Sequence, residues 1–468
     1  MIRARERDLL LAVVLFICAL FVGVPQINVA FAAEQDKALI SGKTSSAAKE
    51  SGVDFSLSRC IEIALAKNPE IAAAQWDIQS ADSRRDAAWS AFWPQMSIEG
   101  GYMRYVDPQR MIAARFNGEL GVFDDDLLRG DVVAKMSLYS GGRISSEAGS
   151  ADRLFEAEKK RIIRTKDELI YSVTGVYFSI LGQQRIITSL EFSRKALEEN
   201  LKRVHQLYEN NKVAKVDVLR TEVRLADLNQ NIIKEGNTQA VQKRILFSLM
   251  GYDTVPEHAR FDEEPGLPVQ ASIDVGQLIE SALKTRPDYQ AAQDRMDAQA
   301  LRVTAAKAGH LPSINLVGTY GMRNSPSPAD RGLNKQSTED AGSLGVFLTV
   351  PLFEGGRVSA KVREESAVLE ALRERLKRLE LQIRQETDTA ALDVLSSTAR
   401  FQATEKAVEQ AKESFRIESL KYDLGKGSIT DVLDAQSALL QAETNYCRAC
   451  VDYHISMARL RLATGGVL

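Results

Sequence analysis

Residues 421–436 read KYDLGKGSITDVLDAQ. A long run of helical periodicity arrives at Tyr422 and stops at Gly425-Lys426-Gly427. Ser428 and Thr430 then offer side-chain caps, and Asp431 and Asp434 fall in the first turns of a new helix, where carboxylates complement the positive end of its dipole. The stretch predicts the tip of a helical hairpin. Its counterpart lies 214 residues earlier in residues 207–222, LYENNKVAKVDVLRTE. Tyr208 matches Tyr422, Lys212 matches Lys426, and Asp217-Val218-Leu219 matches Asp431-Val432-Leu433. Asn211 stands where the second copy has Gly425, and asparagine follows glycine in tolerating a left-handed cap. Two copies of one hairpin predict a duplicated protein.

The duplication extends outward from the tips. Pro69 recurs as Pro287 and Pro94 as Pro312, both at an offset of 218. Gly141-Gly142-Arg143 recurs as Gly355-Gly356-Arg357 and Gly251 as Gly465, both at 214, so one deletion of four residues lies between Pro312 and Gly355. Each copy begins with helical periodicity interrupted by its proline, over 56–66 and 70–93 in the first and around Pro287 in the second. A period of two follows. Met96, Ile98, Gly100 and Tyr102 form one apolar row and Val132, Ala134, Met136 and Leu138 another. In the second copy the rows are Ile314, Leu316, Gly318 and Tyr320, then Val346, Leu348, Val350 and Leu352. These are four predicted strands, joined by polar segments, 104–129 and 323–341, expected to be exposed mobile loops.

After each Gly-Gly-Arg the period becomes sevenfold. Ile162, Leu169, Val176, Leu190, Leu197 and Val204 hold one seam position, and Val173, Ile180, Ile187, Leu201 and Tyr208 the other. Val394, Phe401, Val408, Phe415 and Tyr422 continue it in the second copy, where Ala390, Ser397, Thr404 and Ala411 make the other seam small enough for close helix approach. From Arg143 to Tyr208 is 66 residues, a helix of about 100 Å.

Residues 1–32 carry Arg3, Arg5 and Arg7, an apolar run from Leu9 to Val24 and Ala30-Phe31-Ala32, the pattern of a cleaved secretion signal. The competing reading is an uncleaved anchor, but sixteen apolar residues give roughly 24 Å against a hydrocarbon core of about 30 Å. Cys18 lacks the small residues before it that lipidation would need. Residues 34–52, rich in Ser, Ala, Lys and Gly, are expected to be flexible. No later stretch is apolar enough to span a membrane as a helix. With 44% hydrophobic and 26% charged residues and a formal net charge of −3, the chain carries no nucleic-acid footprint. Cys447 and Cys450 fall in a helical stretch with neither a second pair nor a following histidine, which leaves packing or an incidental thiol pair. His205, His258, His310 and His454 are scattered, without a nucleophile or ligand pattern, so neither a catalytic group, a metal nor a cofactor is expected.

Four amphipathic strands in an exported chain suit an outer membrane, but an open four-stranded sheet leaves backbone edges that lipid cannot satisfy. Copies of the chain must close it: two would give eight strands and a filled interior, three would give twelve and a lumen. A periplasmic coiled-coil protein with a small soluble sheet is the alternative.

The duplicated plan, the Asn68-Pro69 and Arg286-Pro287 breaks, the Trp93-Pro94 and Leu311-Pro312 strand entries, the Gly-Gly-Arg exits and the tip from Gly425 to Asp434 together resemble the TolC family of outer-membrane efflux proteins, over about residues 55–465. The resemblance implies an α+β membrane protein: a duplicated repeat with long coiled-coil α-hairpins and four transmembrane β-strands per protomer, closing as a trimeric 12-stranded β-barrel with a periplasmic α-helical tunnel. The chain then divides into a signal peptide (1–32), a flexible segment (33–54), a first repeat (55–251), a linker (252–272) marked by Pro256, Pro265 and Pro268, and a second repeat (273–468). The implied function is a passive duct in the outer membrane, extending into the periplasm. A homotrimer would work with a periplasmic adaptor (membrane fusion) protein and an inner-membrane efflux pump or ABC exporter.

By the same resemblance Asp217, Asp431, Asp434, Tyr208 and Tyr422 belong to a periplasmic gate, where rings of carboxylate would favour cations. Helix capping is the competing role of the aspartates. Asn211, Lys212, Val213, Ala214, Gly425, Lys426, Gly427 and Ser428 form the expected docking tip for the adaptor. The chain departs from the family's best-known member at Gly427, where that protein has an arginine; Lys426, Lys212 and Lys215 are the candidates to replace it. Asp124-Asp125-Asp126 is read as a solvated acidic loop or a divalent-cation site. A trimeric surface stalk without transport activity is the second functional class, and outer-membrane insertion with conduction separates the two.

Overall fold

The computed structural model describes residues 54–112, 122–256, 259–261, 274–324 and 338–466. The signal, the segment that follows it, Cys18, Pro265 and Pro268 lie outside the described residues.

The unit from Asp54 onward contains the same helices twice. Helix α1 (Leu57–Lys67) and α2 (Pro69–Trp89) match α5 (Val275–Thr285) and α6 (Pro287–Lys307) at 11 and 21 residues. The long helices α3 (Arg143–Glu209) and α7 (Arg357–Asp423) have 67 residues each, and α4 (Lys215–Leu249) and α8 (Ile429–Ala463) have 35 each. Identical lengths follow from identical punctuation. Proline opens α2 and α6 at the first helical position, where its missing N–H is no loss. Gly142 and Gly356 hold left-handed backbone, φ 85° and 81°, immediately before α3 and α7.

Helix α3 is the spine: α1, α2, α4, α6 and α8 all pack on it, and α7 packs on α6 and α8. The seam is buried along α3 at Ile162, Leu169, Val173, Ile180, Leu190, Leu197 and Val204, and along α7 at Ala390, Val394, Ser397 and Phe401. Val176 and Ile187 are only half-buried because the buried face broadens near them to Tyr177, Leu181, Gln183 and Ile186. There Phe55, Phe247 and Phe261 surround Tyr177, whose hydroxyl donates to the Phe55 carbonyl at 3.0 Å.

Strands β1 (Gln95–Ile112), β2 (Val122–Tyr139), β3 (Ser313–Asn324) and β4 (Thr338–Thr349) form one antiparallel sheet in chain order, so β1 and β4 are its edges. The register brings Ile98, Val132 and Tyr320 abreast, and likewise Met96, Ala134, Gly318 and Leu344. The apolar rows therefore share one face. Ile98, Leu344 and Leu348 on it are 84%, 68% and 65% exposed, an apolar surface that water would penalise and lipid accepts. The opposite face is polar: Glu99 meets Lys135 at 3.4 Å, Thr319 meets Ser343 at 2.8 Å, and Asp131 pairs with Arg323.

Three strand expectations are corrected. The expected loop at 104–129 is mostly strand, because β1 runs on to Ile112 and β2 starts at Val122. A strand of 18 residues outruns the ten or so that cross a bilayer, and its outer part loses the apolar alternation with the lipid. Of the expected loop at 323–341, residues 323–324 and 338–341 are strand, and 325–337 lie outside the described residues. Finally, Val350 and Leu352 fall beyond β4, which stops at Thr349 ahead of Pro351, a residue without a ladder donor.

Candidate functional site

The two hairpin tips are built alike. At the first, the Asn211 amide donates to the Tyr208 carbonyl at 2.9 Å and the Lys212 amide to Leu207 at 2.8 Å. At the second, Gly425 donates to Tyr422 at 3.0 Å and Lys426 to Lys421 at 2.9 Å. Both are closures through a left-handed residue, with φ of 56° at Asn211 and 69° at Gly425. Asn211 is the only non-glycine with positive φ among the described residues.

The following helices start differently. Ser428 caps α8, accepting from the Thr430 amide at 3.1 Å, while Asp431 accepts from the Ser428 amide at 3.2 Å, a reciprocal capping box. Ala214 begins α4 without a side-chain cap. Val213 packs onto the core beneath the tips; at the equivalent place a Cβ on Gly427 would lie 3.1 Å from the Lys421 Cβ and the Tyr422 amide. The turn therefore passes close to the end of α7 at Gly427, and a side chain there would need Lys421 and Tyr422 to shift by a few tenths of an ångström.

That core joins the two hairpins. Val204 and Val218 from the first meet Ile429, Val432 and Leu433 from the second, with Tyr422 and Phe415 packed alongside. Tyr422 is half-buried and Tyr208 is 40% exposed, so the matched tyrosines are not equivalent. The Tyr422 hydroxyl has no hydrogen-bond partner among the described residues. Burial, and next the Asp217 charge, push its ionisation above the ordinary phenol range, so it is neutral. Asp217 lies 4.0 Å from Arg220. Asp434 is exposed and forms no ion pair among the described residues.

Links between the hairpins come, apart from Thr430, from residues the sequence pattern did not single out; Ser428 alone caps α8, and the Thr430 hydroxyl faces the other hairpin instead. Arg203 on α3 pairs with Asp423 at the end of α7 at 2.6 Å, and Arg220 on α4 donates to the Thr430 hydroxyl at 3.2 Å. Arg224 donates to Ser437, and Gln436 donates to the Ser193 carbonyl at 3.2 Å. None of Lys212, Lys215 or Lys426 forms an ion pair among the described residues, whereas Arg203 does. The available signal was charge at positions flanking the seam: Arg203 precedes Val204 and Asp423 follows Tyr422.

In the sheet, Asp125 and Asp126 are strand residues, each 3.8 Å from Arg104, and Asp126 accepts from the Tyr102 hydroxyl at 2.6 Å. The Asp124 side chain lies outside the described residues. Cys447 and Cys450 are buried on α8 beside Gly182 of α3, where an added Cβ would overlap Val451. Their role is packing at a close helix approach, and burial pushes the Cys447 thiol up to about 11.

A lipid-compatible sheet with a polar reverse face, carried on hairpins of about 100 Å, defines a channel protein of the outer membrane with periplasmic helices. The family model for outer membrane efflux proteins matches residues 60–252 and 278–466, one segment in each repeat. The chain belongs to that family, whose members are ducts and not enzymes. It is 24% identical over 393 residues to the outer membrane protein TolC of Vibrio cholerae, covering 82% of this chain and 86% of that protein. To the alkaline protease secretion protein AprF of Pseudomonas aeruginosa it is 26% identical over 326 residues, 68% of this chain and 65% of that one. Among solved structures, the outer membrane protein VceC of Vibrio cholerae superposes with a TM-score of 0.73 at 20% identity, covering 88% of this chain and 96% of that one.

Proposed function

We propose that three copies of the chain form one closed duct for efflux or type I secretion, with β4 of each protomer pairing β1 of the next. The carrying observation is the sheet with unpaired edges at β1 and β4 and an exposed apolar belt across one face. Lipid cannot satisfy those edges, and twelve strands give a lumen onto which the polar face looks. The family and the names of its secretion relatives support the transport reading. An adaptor docks on the exposed tips, Asn211 to Ala214 and Gly425 to Ser428, and an inner-membrane pump or ABC exporter supplies the energy. The duct constricts at the hairpin tips, where Asp217, Asp431 and Asp434 set cation preference and Tyr208 and Tyr422 pack the closed state. Arg203 and Asp423 help to hold that state.

The test is single-channel conductance of the purified mature protein, with its mass in detergent measured alongside. A trimer giving small cation-selective steps, with selectivity reduced by joint Asp431→Ala and Asp434→Ala substitution, is the expected result. Folded trimer without conductance would instead favour a structural stalk. For docking, charge reversal at the exposed Lys212 and Lys426 is cleaner than a side chain at Gly425, whose backbone is left-handed, or a charge at Val213, which packs on the core. Export should fall while trimer and conductance persist.

A further inference from the structure

Where the sheet hands over to the long helices, a cleft of about 640 Å³ opens. Ser137, Ser313, Asn315 and Thr349 line it, and the register places them on one face: Ser137 pairs with Asn315 and Ser313 with Thr349. That face also carries Lys135, Asp131 and Arg323, and it is opposite to the apolar belt. The cleft therefore belongs to the polar interior of the sheet.

Its chemistry is of three kinds. Ala305, Ala308, Leu311 and Val358 give it an apolar floor, and the strand hydroxyls and the Asn315 amide give it a neutral polar wall. Arg143, Arg302, Arg357 and Lys361 supply positive charge against the carboxylates Glu147, Glu354 and Glu365. Each carboxylate already has a cation: Glu147 meets Arg143 at 3.2 Å, Glu354 pairs with Arg357, and Glu365 meets Lys361 at 2.9 Å. Arg302 is exposed and forms no salt bridge among the described residues, although its field reaches Glu365. Arg143 and Arg357 also open α3 and α7, so two helix N-termini add their partial positive charge at the cleft. Lys361 is shared with Glu364 at 3.0 Å, just outside the lining, so what the cleft offers an anion is the unpaired fork of Arg302, which can bind a planar anion through two hydrogen bonds.

We propose that this cleft is a station for amphipathic organic anions in transit, their carboxylate or sulfonate held by Arg302 and their hydrocarbon body laid on Leu311, Ala308 and Val358. This rests on the duct reading above. It gives the duct two regions of opposite preference, a carboxylate-lined entrance and an anion-binding vestibule at the base of the barrel. Binding in an open, solvated cleft is weak, as conduction requires, because a tightly held solute would plug the path.

The probe is 2-naphthalenesulfonate, with 2-naphthylmethylammonium as a cation of like size. In planar bilayers the sulfonate should block the wild-type current reversibly and the ammonium should block it far less. Arg302→Gln should weaken the sulfonate block roughly tenfold and leave the unblocked conductance within about a factor of two. Titration calorimetry of the detergent-solubilised trimer should show the same loss of sulfonate affinity, independently of conduction. Equal affinity of wild type and Arg302→Gln, or equal block by the two probes, would overturn the station. Calorimetric binding that depends on Arg302 in protein without channels would keep the site and bring down the duct.

Discussion

Asp431 and Asp434 lie one helical turn apart at the start of α8, yet only Asp431 serves the backbone, by closing the capping box with Ser428. Asp434 is exposed and has no such task. The two substitutions should therefore separate. Asp431→Ala removes a cap and should cost about 1 kcal/mol locally, read as faster amide exchange around residues 428–432. Asp434→Ala should leave that exchange unchanged and reduce cation over anion permeability. Equal effects of both on exchange would return Asp434 to a structural role. Tyr422 gives a contrasting case. Its buried hydroxyl lacks a partner among the described residues, so Tyr422→Phe removes an unsatisfied group and should leave the thermal midpoint unchanged or raised, with the closed-state conductance retained. A fall of several degrees would show that the hydroxyl is satisfied in the assembled protein.

At the scale of elements, the strands show what a sequence can and cannot give. The apolar rows were legible because a lipid-facing side chain must be apolar at every second position, and the register does place Ile98, Val132 and Tyr320 abreast. The strand ends were not legible, since beyond the bilayer nothing requires alternation in β1 and β2. Nor was the pairing of Asp131 with Arg323, separated by 192 residues and joined only by register. The tips were legible down to the left-handed Asn211, because a duplicated turn repeats its backbone; Arg203 and Asp423 were not, because their contact crosses between hairpins and has no duplicate. Glycines in the sheet divide in a testable way. A Cβ on Gly321 would overlap the Gly130 carbonyl and the Asp131 side chain, whereas one on Gly130 meets nothing within 4 Å. Gly321→Ala should sharply reduce the amount recovered in outer-membrane fractions, and Gly130→Ala should not. Equal recovery would mean that β2 and β3 slide apart at little cost.

At the scale of the whole molecule, the end of each hairpin is tied back to its own repeat by a different device. In the first, the Asn68 side chain donates to the Leu249 carbonyl at 2.8 Å, while Gly251 packs so closely on the Lys67 carbonyl that a Cβ would stand 2.6 Å from it. In the second, Arg286 replaces the asparagine: its guanidinium, 1% exposed, reaches the Ala463 carbonyl at 3.4 Å and pairs with Asp288 and Glu386, each at 2.7 Å. Arg164, from the first repeat, adds a bond to the Leu462 carbonyl at 3.2 Å, so this cluster fastens both repeats to the end of α8. Burial alone would raise both carboxylates, but hydrogen bonds and charge from Arg286 outweigh it and hold them below their usual values of 3.8 and 4.5. Groups depressed on folding stabilise fully above those usual values, and the contribution is lost as pH falls through the lower folded ones. The thermal midpoint should therefore drop as pH falls from about 5 toward 3. Arg286→Met strands two carboxylates beside an apolar side chain and should cost about 3 kcal/mol at neutral pH, and because protonation then relieves the strain, its midpoint should fall less steeply into acid. Thermal unfolding of both proteins across that range decides the matter: parallel pH profiles would show that Arg286 packs without governing the charge of its neighbours.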